Sequence, residues 1–176
     1  VCWSVALGLG LVDHVRAAVF QSRCLMASLR AGEPYRLCRT LAMESAYMAA
    51  GGRRRYNRAL RLAQQAETLA KTLRKPHALG MAAYGTGVVH FLNGSWQEAQ
   101  RNLEKASFIF RERCYGMIWE VATTKTFLFS ALAFRGDTAG FLQRVNESLQ
   151  DARLRGNLYF AVNLRTGYPN IAWLCR

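Results

Sequence analysis

Apolar and small residues recur every three or four positions through most of this chain. Val15, Ala18, Ser22, Leu25 and Leu29 form one series, and Ala59, Leu62, Ala66, Leu69 and Leu73 a second. Trp96, Ala99, Leu103, Ala106 and Phe110, then Leu142, Val145, Leu149 and Ala152, repeat the rule. Such spacing lays one stripe along a helix, facing a core. No segment shows the period of two that a half-buried strand requires. The pattern predicts an all-α chain.

Punctuation divides it into about nine helices. Pro34 follows Gly32-Glu33 and Pro76 follows Lys75, each at a first helical position, while Gly136-Asp137 and Gly156-Asn157 pair a C-terminal glycine with an N-cap. Ser95-Trp96-Gln97-Glu98 has the form of a capping box. One class of helix, A, is expected to begin near Pro34, Pro76, Gly116 and Asn157. The other, B, should begin near His14, Arg53, Ser95 and Asp137. Both classes step by about 41 residues, the signature of a helix-pair repeat. Each pair has too little core to stand alone, so the pairs should stack into an α-solenoid.

In the best-formed unit, Gly87, Gly94, Trp96, Ala99, Leu103 and Ala106 fall where tetratricopeptide repeats place small residues, an aromatic and an apolar stripe. The unit resembles such a repeat, with longer helices and with His90 where an aromatic is usual. At larger scale, "LRAGEPYRLCRTLAMESAYMAAGG", "HALGMAAYGTGVVHFLNGSWQEA", "FRERCYGMIWEVATT" and "RGNLYFAVNLRTG" resemble the C-terminal helical region of large bacterial signalling proteins. In those, a Ser/Thr protein kinase domain and an AAA-type or STAND ATPase precede a tetratricopeptide-like array. The resemblance implies a regulatory or partner-sensing module. It carries over no catalytic residue, since the chain has no phosphate-binding GxxxxGK[ST] loop and no kinase HRD or DFG motif.

Composition changes the picture little. With 176 residues, 51% of them apolar, and only three prolines, the expectation is one uninterrupted array over residues 1–176. The chain opens without Met and ends on an apolar run, which suggests a piece of something longer. The opening run has no basic flank and does not read as a signal peptide, and the longest uncharged stretch, His77 to Gln97, reads as a helix, a turn and another helix rather than a membrane span. Five cysteines, Cys2, Cys24, Cys38, Cys114 and Cys175, are far apart and lack a CxxC pair. They read as small buried residues of a reducing cytoplasm. Cys114 stands out because Arg111 and Arg113 are positioned in sequence to lower its pKa.

The net charge of +13 favours an acidic partner without identifying one. Its densest stretch is "RRRYNRALR", residues 53–61, at the expected start of a B helix. There Arg54, Arg58 and Arg61 form one stripe on the solvated flank of the apolar face, a candidate docking point for an acidic partner. The polar residues of the A helices are the other candidates for partner contact: Arg36, Arg39, Glu44, Trp119, Lys125, Asn163 and Arg165. Glu44 and Glu120 stand alone in apolar helices, where burial would call for cationic partners such as Arg39 or Lys125 and raise their pKa values. His14, His77 and His90 have no metal-ligating neighbour at helical spacing. No catalytic, cofactor-binding or metal site is assigned.

Two functional classes stay open at this point. One is a non-catalytic scaffold that binds a peptide, a neighbouring domain or a partner protein. The other is a basic helical array that grips the phosphate backbone of nucleic acid. An enzyme is disfavoured because no nucleophile, base and water-activating group converge.

Overall fold

A computed structural model describes residues 1–10 and 12–175; the side chains of residues 168 and 173–175 are outside the described set, so the expectation for Cys175 lies outside it too. Among the described residues there are nine α-helices and no strand. They are α1 (Cys2–Leu9), α2 (His14–Ala31), α3 (Pro34–Ala49), α4 (Tyr56–Leu73), α5 (Pro76–Leu92), α6 (Trp96–Glu112), α7 (Ile118–Phe134), α8 (Thr138–Leu154) and α9 (Leu158–Thr166). A 3-10 turn, Arg53–Arg55, precedes α4, and a 3-10 segment, Tyr168–Cys175, packs against α7, α8 and α9.

Odd-numbered helices from α3 onwards begin at Pro34, Pro76, Ile118 and Leu158, in steps of 42, 42 and 40 residues. Even-numbered helices begin at His14, Tyr56, Trp96 and Thr138, in steps of 42, 40 and 42. Each helix packs on the next in sequence, and α3, α5, α7 and α9 also pack side by side. The outcome is a solenoid-like array of helix pairs with an A layer of odd helices and a B layer of even ones.

Most boundaries have the expected chemistry. The Glu33 carboxylate caps α3, accepting from the Tyr35 and Arg36 amides at 3.0 and 2.7 Å. Asp13, Asp137 and Asn157 cap α2, α8 and α9 in the same way. Gly136 and Gly156 adopt φ of +82° and +65°, the left-handed conformation that closes a helix. Two expectations are corrected and a third is refined. Ser95 makes no side-chain cap: its hydroxyl accepts from the Asn93 amide at 3.4 Å, while Glu98 turns to Arg101 at 2.7 Å, so no capping box forms. The arginine run starts as a 3-10 turn, and the α-helix proper begins three residues later, at Tyr56. Gly116 is a left-handed turn residue two positions before α7.

The main core follows the B-helix stripes. Ala99, Leu103, Ala106 and Phe110 of α6 are essentially inaccessible, as are Ala59, Ala66 and Ala70 of α4. Helix α5, apolar on every side, is clasped between α3, α4 and α6. Its glycines permit that. A Cβ on Gly80 would meet the Phe110 ring at 2.5 Å, and one on Gly87 would meet Leu103 at 2.7 Å. A Cβ on Gly85 would lie 2.6 Å from the Ala42 carbonyl oxygen of α3.

Helix α2 departs from the expected stripe. Ala17, Gln21 and Ser28 are its buried residues, whereas Val15, Val19, Met26 and Leu29 are exposed. Two small residues allow close approach to the neighbouring helices. Gln21 can be buried because its amide donates to the Thr40 carbonyl at 2.9 Å.

Candidate functional site

The A layer, together with α1, encloses a concave cavity of about 150 Å³. Its wall comes from successive repeats: Met43 and Tyr47 of α3, Tyr84 and Val88 of α5, Trp119, Thr123 and Phe127 of α7, and Tyr159 of α9. Ala6 and Leu7 of α1 close one end. The aromatic rings brace each other. Tyr84 meets Trp119 edge-on at 6.3 Å and Phe127 at 6.2 Å.

Three of its hydroxyls are engaged. The Tyr47 hydroxyl donates to the Ala6 carbonyl at 3.3 Å, tying α3 to α1, and the Tyr159 hydroxyl lies 3.3 Å from the Thr123 hydroxyl. Burial pushes the Tyr84 phenol far above its ordinary range, with Tyr159 and Tyr47 adding to the effect. This is an uncharged aromatic recess. It can receive an apolar side chain.

Of the candidate partner-contact residues, Trp119 alone lines this recess; His14 lies at its rim. Arg39 lies against α1 instead, its guanidinium 4.0 Å from the Trp3 ring centre. Lys125 faces the opposite side of α7, in a polar cleft of about 330 Å³ shared with Arg111 and Arg144. Its ammonium reaches Ser148 at 3.5 Å, and burial, followed by repulsion from Arg111, lowers its pKa. Asn163 is buried and donates to the Tyr159 carbonyl of its own helix. Arg36 folds back to Glu33 at 3.8 Å, and Arg165 is exposed.

The two isolated carboxylates find other partners than expected. Glu44 accepts from the Ser22 hydroxyl at 3.4 Å, and its Oε2 has no hydrogen-bond partner. Burial raises its pKa, opposed by the neighbouring polar side chains of Gln21 and Ser22 and by the Arg58 charge. Glu120 pairs with His77 at 3.2 Å. Burial pushes Glu120 up, but the His77 hydrogen bond heads the influences that bring it net below the ordinary range. Neither Arg39 nor Lys125 forms an ion pair with them, since the first is held over Trp3 and the second reaches α8.

His77 also bonds the Tyr35 hydroxyl through Nδ1 at 2.9 Å. Tyr35, His77 and Glu120 therefore form a ladder across the N-terminal ends of α3, α5 and α7. Successive rungs are 42 and 43 residues apart, one repeat each. Sequence reasoning missed it, although Tyr35 and His77 each directly follow the proline that opens an A helix. The His77 Nε2 faces the Glu120 carboxylate and its Nδ1 the Tyr35 hydroxyl, so both ring nitrogens are engaged. Burial heads the causes that raise the Tyr35 pKa, so the ladder supplies no ready phenolate.

Cys114 likewise lacks the activation its basic neighbours suggested. Burial and then Glu120 raise its pKa, while Arg113 lies over the Phe108 ring and Arg111 next to Glu112. Cys2, Cys24, Cys38 and Cys114 are all free thiols, and burial pushes Cys38 up to about 11. Arg54, Arg58 and Arg61 are exposed and, with Arg53 and Arg55, have no ion pair with a carboxylate among the described residues. No helix among the described residues is long and apolar enough to cross a membrane. No family model and no curated protein matches the chain.

Proposed function

We propose that this chain is a non-catalytic interaction module, a tetratricopeptide-like array that holds a peptide, a neighbouring domain or a partner protein on its helical-repeat surface. The observation that carries the reading is the aromatic recess built jointly by α3, α5, α7 and α9. At about 150 Å³ it is smaller than the roughly 300–1,000 Å³ of small-molecule sites. It suits one apolar anchor side chain of a bound segment. Trp119, held against Tyr84 in its wall, is the side chain we expect to contribute most to that contact, since aromatic anchors dominate binding energy at interfaces.

The resemblance to the helical regions of bacterial kinase and ATPase signalling proteins extends this reading. The array would report partner engagement to enzymatic domains outside these residues, in the cytoplasm. Selection of binders from a random peptide library tests the recess. Trp119→Ala should weaken the selected peptides by roughly tenfold or more, with Gln64→Ala, exposed on the B layer, as an unaffected control. A library without binders, or binders indifferent to Trp119→Ala, would overturn the assignment.

A second reading, a grip on nucleic-acid phosphates, is favoured by one observation: five arginines within residues 53–61 that form no ion pair with a carboxylate among the described residues.

A further inference from the structure

Along α2, Val15, Val19, Ser22, Met26 and Leu29 follow one another in alternating steps of four and three. That is the a/d spacing of a coiled-coil seam. The array leaves this seam in water: Val15 is 77% exposed, Val19 47%, Met26 51% and Leu29 51%. Beside it lies an open groove of about 910 Å³, whose other wall is Tyr47 and Ala50 at the end of α3.

Charge specifies what fits there. Arg16, Arg23 and Arg30 each stand one residue after an outer or middle seam position, at intervals of seven, and α2 contains no acidic residue. Arg16 is paired with the capping Asp13 at 3.3 Å. Arg23 and Arg30 flank the groove with no carboxylate partner among the described residues. In a coiled coil this flanking row selects the partner by charge.

We propose that the α2 seam is a docking surface for an amphipathic helix from another polypeptide, one whose apolar stripe is flanked by Asp or Glu. A second copy of this chain fits poorly. Antiparallel pairing sets the arginine row against itself, parallel pairing sets it against Ala18 and Leu25, and the +13 charge opposes both. Ser22, at the middle of the seam, is held by Glu44 at 3.4 Å. A polar side chain at that one position fixes the register of the incoming helix. This surface is on α2, apart from the concave recess, and does not depend on the recess being a binding site.

Two synthetic three-heptad peptides test it, with the same leucine seam but Glu or Lys at every flanking position. Fluorescence anisotropy against the intact chain should show the Glu peptide binding at least roughly tenfold tighter, the sum of two or three modest charge pairs. Arg23→Glu with Arg30→Glu should reverse that order. Val19→Asp with Met26→Asp should abolish binding of either peptide. Circular-dichroism melts of these surface variants should match the parent. Equal affinity for both peptides, binding that survives Val19→Asp with Met26→Asp, or no binding at all overturns the proposal. Sedimentation showing a dimer that dissolves in the Val19→Asp variant also overturns it, in favour of self-association.

Discussion

Glu44 is the residue whose surroundings conflict most with its charge. It is 9% exposed, and among the described residues its Oε2 has no donor and the buried Oε1 of Gln21, beside it, has no partner. A protonated Glu44 would supply the missing donor. Because its folded pKa is raised, the folded chain holds this proton more tightly than the unfolded chain. Stability should then fall as pH rises from the ordinary glutamate range through the raised pKa, and level off above it. Glu44→Gln, which keeps shape and adds donors, should remove that slope and raise the melting temperature at neutral pH. Thermal melts of both forms across pH check this; an unchanged slope in the variant would place the titration elsewhere. Sequence made Glu44 conspicuous as a lone acid in an apolar helix. It did not reveal Ser22 and Gln21 as its neighbours, because they come from another helix.

At the scale of the element, legibility followed amphipathicity. Helix α6 has one apolar stripe, so its core was readable as Ala99, Leu103, Ala106 and Phe110. Helix α5 is apolar all round, so period alone could not assign which face meets which neighbour. Its glycines do so in the structure, and they differ in consequence. At Gly85 the obstruction is the Ala42 carbonyl, backbone that cannot rotate away. Gly85→Ala should destabilise the fold by about 1–3 kcal/mol, the usual penalty for overpacking. Gly8→Ala, in open space on α1, should be neutral or stabilising by up to about 1 kcal/mol. Denaturant midpoints of the two variants distinguish them, and equal shifts would refute the backbone argument. In α2 the periodic residues Val15, Ser22 and Leu29 stayed in solvent and Leu25 packs half-buried against the core, while Ala17, Gln21 and Ser28 were buried. A polar residue with a distant backbone acceptor reads, in sequence, as a solvent face.

The charge of the whole molecule is unevenly spread. Residues 1–75 carry thirteen basic and four acidic residues, a net of +9; residues 76–176 carry eleven and seven, a net of +4. An acidic partner therefore meets its strongest attraction at α2, α4 and the turn between α3 and α4. If nucleic acid is that partner, affinity for a single-stranded oligonucleotide should drop steeply with salt. Replacing Arg54, Arg58 and Arg61 with Ala should lower the slope of log K against log salt by about 2. A salt titration by filter binding measures it, and absence of binding at low ionic strength removes nucleic acid from consideration. The repeat period, hence the array, was legible because both helix classes carry their own start signals. The concave recess was not, since its wall takes one or a few residues from each of several repeats.

The ladder of Tyr35, His77 and Glu120 bears on how such an array deforms. It stitches α3, α5 and α7 along a single margin, close to their N-terminal ends. A sheet of rods sewn along one hem opens like a fan. Thermal bending should leave the hem at constant length and be felt at the unsewn margin, where the mouth of the aromatic recess widens or narrows with the splay.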